Sequence, residues 1–184
     1  MNNPRSTRDV LLDAFETILI DNGERSATLE AVATEAGVSK GGLLYHFGSK
    51  NDLVDGEIQR LKELANDDFD QLRDAPDGVV SRFLRSSVVV DSPFDRAFVI
   101  VTRLAQSGRY PAVTTALEEI EGTWLDMLTE ALGDPVVAQI VLLMSDGLYY
   151  QSALFPTPET VKPNVDELLG AIDQLIAARA SAPR

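Results

Sequence analysis

Residues 28–50 read TLEAVATEAGVSKGGLLYHFGSK, and the placing of caps, small residues and apolar residues in this stretch decides the fold. Thr28 stands where a helix N-cap belongs. Leu29, Val32, Ala33 and Ala36 follow at i, i+3, i+4 and i+7, one face of a helix, and Gly37 stops it. Ser39 caps the next helix, with Val38 and Leu43 at the two positions of a hydrophobic staple. Ser49 caps another, with Asp52 as its capping-box partner. Two short helices joined by a turn at Gly37–Val38 make a helix-turn-helix. Its second helix is unusual. Gly41 and Gly42 fill the first turn, each costing about 1 kcal/mol in helix propensity relative to Ala. Leu43, Leu44, Tyr45, His46 and Phe47 crowd the rest. Leu43 and Phe47, at i and i+4, face inward and anchor the helix.

The surroundings read as helix too. Val10, Ala14, Ile18 with Leu11, Phe15, Leu19 form a stripe on a first helix ending near Asn22–Gly23. Val54, Ile58, Leu61, Ala65, Phe69 and Leu72 form one long seam on the helix that Ser49 caps. A turn at Ala75–Gly78 separates it from helices expected at about 79–90, 94–107, 111–132, 135–155 and 163–179. Pro93, Pro111, Pro135 and Pro163 lie at or near their starts, where a missing N–H matters least. Only Val88–Val90 hints at strand. The expected fold is all-α: a three-helix helix-turn-helix domain over residues 1–50 and a larger helical domain over 51–184.

Composition narrows the chemistry. The 184 residues include no cysteine and one histidine, His46, which excludes disulfides, thiolate sites and a multi-histidine metal site within one chain. No metal or other cofactor is expected. There is no Gly-rich phosphate loop and no nucleophile–base pair, so an enzyme is not the leading reading. The N-terminus lacks the apolar core of a signal peptide, and the most apolar run, 136–150, is broken by Gln139 and Asp146. These features point to a cytoplasmic protein without a membrane role. The net charge of −13 argues against nucleic acid as a partner, but it is uneven: −4 over residues 1–60 and −9 over the rest.

The residues Thr28, Val32–Ala33, Ala36–Gly37–Val38–Ser39, Gly41, Tyr45–His46–Phe47, Lys50 and Leu53 together resemble the DNA-binding domain of TetR-type transcriptional regulators. The resemblance spans roughly residues 8–60. Beyond it, "LAQSGRYP" and "SDGLYY" look more distantly like the branch that senses drugs and controls efflux pumps. The resemblance implies a homodimeric repressor that binds a double-stranded DNA operator and is released by a small-molecule effector. It implies a DNA surface of Thr28, Ser39, Lys40, Gly41, Gly42, Leu44, Tyr45, His46 and Lys50. In physical terms, the glycines let the backbone approach DNA and Lys40 can reach a guanine edge or a phosphate. Tyr45 and His46 can donate to phosphate. Thr28 and Lys50 sit at helix starts that favour anions. Two positions depart from the family pattern: Gly42 replaces a common threonine, and Leu44 replaces the first aromatic. Plain readings stand beside these. His46 as a helix-terminal cation, Lys40 as solvated, Tyr45 as core and Arg5 and Arg8 as an uninvolved arm remain open.

The apolar helix 135–155 and the last helix, with Val165, Leu168, Leu169, Ile172, Leu175 and Ile176, are expected to pair across a two-fold axis in a four-helix bundle. A large monomeric core is the rival. Candidate ligand contacts are Phe98, Arg103, Trp124, Met127, Met144, Asp146 and Tyr149, with Leu104 and Phe155 nearby. Asp146, inside an apolar helix, needs a partner. Arg96 or Arg103 would serve, or a lipophilic cation aided by aromatic faces. The alternatives to a ligand-responsive regulator are a helical ligand-binding module or an enzyme without sequence-specific DNA affinity.

Overall fold

A computed structural model describes residues 6–88, 92–154 and 164–181. Among the described residues there are nine α-helices, one 3-10 turn and no strand. The helices are α1 (Thr7–Asn22), α2 (Leu29–Glu35), α3 (Lys40–His46), α4 (Lys50–Arg73), α5 (Val79–Ser86), α6 (Pro93–Gln106), α7 (Pro111–Leu132), α8 (Pro135–Leu154) and α9 (Val165–Ala180), with the 3-10 turn at Glu24–Ser26. The all-α expectation holds.

Local chemistry sets the boundaries. Ser6 begins α1 with a capping box: the Asp9 N–H donates to its hydroxyl at 3.1 Å and Asp9 accepts in return. Thr28 Oγ1 accepts from the Ala31 N–H at 3.2 Å, and Ser39 Oγ from the Gly42 N–H at 3.0 Å. At the head of α4 the Ser49 N–H donates to Asp52 at 3.0 Å while the Asp52 N–H returns to Ser49 Oγ at 3.2 Å. Gly37, at φ 68°, adopts the left-handed conformation that turns the chain from α2 into α3. One boundary differs from expectation. The helix expected to reach residue 90 stops at Ser86. Ser86 and Ser87 both turn their hydroxyls back to the Phe83 carbonyl, at 2.9 and 2.8 Å, which competes with continuing the helix. Val89, Val90, Phe155 and Pro163 lie outside the described residues.

The chain divides into two compact units. The first takes the chain up to Leu64 together with Pro93–Leu117. Here α1 packs on α2, on the 3-10 turn and on α6, and α2 packs on α3. Leu11, Leu12, Phe15, Leu43, Phe47 and Leu53 are buried together with Ile100 and Leu104 of α6. Gly56 of α4 marks the tightest approach. A Cβ there would lie 2.8 Å from the Phe47 ring, 3.1 Å from Leu12 Cδ2 and 3.3 Å from an Arg8 guanidinium nitrogen. That guanidinium stacks over the Phe47 ring at 5.5 Å.

The second unit takes Ala65–Ser92 and the chain from Glu118 onward. Its core joins Leu72, Phe83, Leu84, Leu128, Val137, Val141, Leu142 and Ile172. Trp124 stands between the Phe69 and Phe83 rings, at 6.2 and 5.6 Å, and donates its N–H to Asp68 at 3.2 Å. The Ser87 and Ser145 hydroxyls share a hydrogen bond of 2.6 Å inside the core; with the Ser87 proton given to the Phe83 carbonyl, Ser145 donates and Ser87 accepts. Asp134 caps α8 and accepts from Arg179 of α9 at 2.6 Å, joining those two helices.

A buried charge cluster runs through the first unit. Glu16 of α1, only 3 % exposed, accepts from Arg60 of α4 at 2.8 Å and from Arg96 of α6. Arg60 also donates to Asp13 at 2.8 Å and to the Asp9 carbonyl at 3.0 Å, and Arg96 to Thr17 at 3.0 Å. Glu57 lies beside them, fully buried, with neither carboxyl oxygen hydrogen-bonded among the described residues. Burial, and after it the charge of Glu16, push its carboxyl up to about 9, so it is protonated at neutral pH.

Two predictions follow from these close contacts. Gly56→Ala improves helix propensity, yet it drives a methyl into the Phe47 ring. It should destabilise the protein by about 1–3 kcal/mol in denaturant titrations, while Gly122→Ala, which meets open space, should be neutral or slightly stabilising. For Glu57, the raised folded-state value means that its favourable contribution is complete below its ordinary value of 4.5 and is lost as pH rises towards about 9. Glu57→Gln should therefore raise the melting temperature, and by more at pH 8 than at pH 5. A gain that is the same at both pH values would contradict a protonated Glu57.

Candidate nucleic-acid interface

The third helix presents two faces of different chemistry. Leu43 is fully buried and Phe47 is 3 % exposed, as their i, i+4 spacing requires. Tyr45 is 85 % and Leu44 43 % exposed, and His46 is exposed beside them. The Tyr45 and His46 rings meet edge to face at 5.0 Å. Tyr45 is thus not a core residue. Neither glycine has a positive φ, and Gly41 has no internal cause: a Cβ there would meet nothing nearer than Ser39 Oγ at 4.0 Å. A Cβ on Gly42 would find the same oxygen at 3.3 Å, close but not prohibitive.

The two lysines are engaged in different ways. Lys40, at the start of α3, pairs with the carboxylate of Glu30 on α2, and both side chains face solvent. Lys50, at the start of α4, is only 27 % exposed. Its ammonium donates to the Glu24 main-chain carbonyl and lies 3.6 Å from the Glu24 carboxylate. That carboxylate also accepts from the Tyr110 hydroxyl at 2.9 Å and from Arg109 at 3.2 Å. The net effect of these donors against burial holds the Glu24 carboxyl below its ordinary range. Thr28 and Ser39 are exposed, and each already serves as a cap. The α2–α3 pair thus places Thr28, Ser39, Lys40, Gly41, Leu44, Tyr45 and His46 on the surface, with Gly42 half-buried and Lys50 tied to the 3-10 turn.

The candidate ligand residues fall in both units. Phe98 and Arg103 belong to the first. Phe98 stacks with Phe94 at 5.7 Å, and Arg103 donates to the Ile20 carbonyl at 3.3 Å. In the second unit Trp124, Met127 and Met144 pack against its core. Asp146 departs from expectation. It stands on an exposed side of α8, so the single chain does not bury it as an unpaired charge. Partial burial, and then the charge of Glu121, raise its carboxyl above the usual range. Arg96 and Arg103, the partners considered for it, are hydrogen-bonded to α1. A shallow depression of about 380 Å³, lined by Ile18, Ser26, Glu30 and Thr34 among others, includes none of the ligand candidates.

Sequence reading missed the acidic partners. Glu24 and Glu30 meet Lys50 and Lys40 across different helices, which no helical spacing reveals. Glu57 was legible: it sits at i+3 from Val54 and i−4 from Leu61, in the apolar seam itself.

Comparison with known proteins agrees with the helix geometry. Residues 11–56 match the family model of bacterial regulatory proteins, tetR family. Over 140 residues the chain is 24 % identical to the HTH-type transcriptional repressor KstR2 of Mycolicibacterium smegmatis, covering 72 % of this chain and 68 % of that protein. It is 28 % identical over 131 residues to the HTH-type transcriptional regulator UidR of Escherichia coli, covering 70 % and 65 %. The matched segment thus spans about two thirds of each relative. Among solved structures, the multidrug binding protein EbrR complexed with malachite green shares the fold at a TM-score of 0.67 and 22 % identity, covering 91 % of this chain and 98 % of that one. The helix-turn-helix over residues 11–56 is thus similar to that of bacterial regulatory proteins of the tetR family, and the all-helical fold of the chain is TetR-like.

Proposed function

We propose that the chain is a ligand-responsive repressor that binds a palindromic operator as a homodimer and is released by a lipophilic small molecule. The observation that carries the DNA half is the division of α3. Two apolar side chains anchor it, while Lys40, Gly41, Leu44, Tyr45 and His46 face outward with no internal packing to explain them. Tyr45 and His46 clamp phosphate, Lys40 and Leu44 meet base edges, and Gly41 and Gly42 admit the backbone to the groove. Thr28, Ser39 and Lys50 bring N–H groups and charge to the flanking phosphates. In this reading residues 1–50 recognise DNA, and residues 51–184 bind ligand and dimerise. The protein works in the cytoplasm, where the operator is; no described helix is long and apolar enough to cross a membrane.

The dimer is supported by α8. Val136, Ile140, Leu143 and Tyr150 are 50, 37, 60 and 64 % exposed, and they follow one another at i, i+4, i+7 and i+14. An apolar stripe of this kind on a single chain suits a second copy, with α9 beside it. Two-fold symmetry then presents two α3 helices to half-sites about 34–36 Å apart or a multiple of that.

The ligand half is supported by Trp124, Met127, Met144 and Tyr149, which offer large and adaptable apolar surface. Phe98, Arg103 and Asp146 complete the proposed set. KstR2 is named a repressor, and EbrR a multidrug binding protein, which fits a lipophilic effector and the efflux-controlling branch. Ligand acts by preferring a state in which the two recognition helices are out of register, a coupling of about 1–3 kcal/mol.

Electrophoretic mobility shifts against the region upstream of the chain's own gene test the DNA half. Specific, salt-sensitive retardation is expected, weakened at least about tenfold by Tyr45→Ala or His46→Ala. The absence of any specific complex would sink the repressor reading. Leu143→Glu should shift the protein from dimer to monomer in sedimentation analysis and abolish operator binding; a dimer that persists would place the interface elsewhere.

A further inference from the structure

The carboxylate of Glu30 stands where a DNA-facing surface would be expected to carry cations. It belongs to the first turn of α2, yet it reaches the ammonium of Lys40, the first residue of α3. The Lys40 side chain is 58 % and the Glu30 side chain 64 % exposed. The hydrogen bond from Lys40 holds the Glu30 carboxyl below its ordinary range. The other lysine of the motif contrasts with it. Lys50 is drawn into the Glu24, Arg109 and Tyr110 network and is mostly covered, whereas the Lys40–Glu30 pair is open to solvent and easily exchanged.

We propose that Glu30 is a specificity-determining residue, a built-in counter-anion that turns Lys40 away from DNA phosphates and towards the neutral acceptors of a base edge. This rests on the reading that α3 meets DNA. An ammonium has three N–H donors, so Lys40 can keep Glu30 and still donate twice. A guanine O6 and N7 carry no net charge and tolerate the neighbouring carboxylate. A phosphate carries a full negative charge and is repelled by it. Lys40 already has an anion, so meeting a phosphate exchanges one partner for another, and the counterion released from the duplex is offset by the cation that the freed Glu30 carboxylate attracts. Glu30 thereby lowers affinity for arbitrary DNA more than affinity for a site that offers Lys40 a base edge in register. The arrangement suits an acidic chain that must distinguish its operator from a large excess of other duplex.

The test uses the full-length chain and two duplexes, an operator selected from a random pool and a scrambled sequence of the same length. Affinity is measured by fluorescence anisotropy between about 50 and 200 mM salt. Glu30→Gln should bind the scrambled duplex about three- to tenfold more tightly and steepen its logarithmic salt dependence by about one. Operator affinity should change less, so that the specificity ratio falls. In a Lys40→Ala background Glu30→Gln should do nothing further. Equal tightening on both duplexes, or tightening that survives Lys40→Ala, would mean that Glu30 acts only as general negative charge and would overturn the proposal. So would no change at all in a variant that melts like the parent. A parent chain that binds neither duplex overturns the recognition reading itself, a separate and earlier failure.

Discussion

The approach of α4 to the Phe47 ring at Gly56 is the constraint on which α3 depends. A helix of seven residues with two glycines in its first turn has little stability of its own. It persists because Leu43 and Phe47 are buried from one side and because Gly56 leaves room for the ring, with Leu12 and Arg8 closing around it. Packing, not propensity, therefore fixes the direction of Lys40, Leu44, Tyr45 and His46. The glycines of α3 and the glycine of α4 have opposite roles. Gly56 is demanded by the protein's own interior, while Gly41 is demanded by nothing within it.

Electrostatics follows a related logic. In the proposed function an acidic chain meets an acidic polymer, so it cannot rely on overall attraction. Four cations of the first unit are already matched by carboxylates: Lys40 with Glu30, Lys50 with Glu24, Arg60 and Arg96 with Glu16. Pairs that are buried are structural, since removing one partner leaves an uncompensated charge. The exposed pair at Lys40 is different in kind, because water competes for it and, in the proposed function, so does DNA. Burial thus separates a lysine that holds the fold from one that can read a ligand. Glu57 carries the same rule further: burial first, and then the charge of Glu16, push its carboxyl towards the neutral form while both arginines donate to Glu16.

The second unit shows how one helix can serve two surfaces. One side of α8 enters the core through Val137, Val141 and Leu142, and another leaves Ile140 and Leu143 exposed. Its apolar residues run almost all round the helix, which a single chain of this size cannot fully bury. Asp146 belongs to the exposed part, and so its charge does not require the internal partner that an entirely buried α8 would have imposed.

Much of the fold and part of the site were legible in the sequence by itself. Helix caps at Thr28, Ser39 and Ser49, the stop at Gly37 and the seam from Val54 to Leu72 are local signals, carried by hydrogen bonds and periodicity within a few residues. They determined the all-helical class, the helix-turn-helix, and which side of α3 is buried. The end of α5 escaped because two serine hydroxyls competing for the Phe83 carbonyl leave no trace in a hydrophobic pattern. The tertiary structure alone decided the partners of the charges. Glu30 meets Lys40 ten residues on, Glu24 meets Lys50 and Tyr110, and Glu16 gathers Arg60 and Arg96 from two other helices. Periodicity tells which face a residue occupies, but only the packing of helices tells which charges share that face, and a charge acts through its neighbours in space.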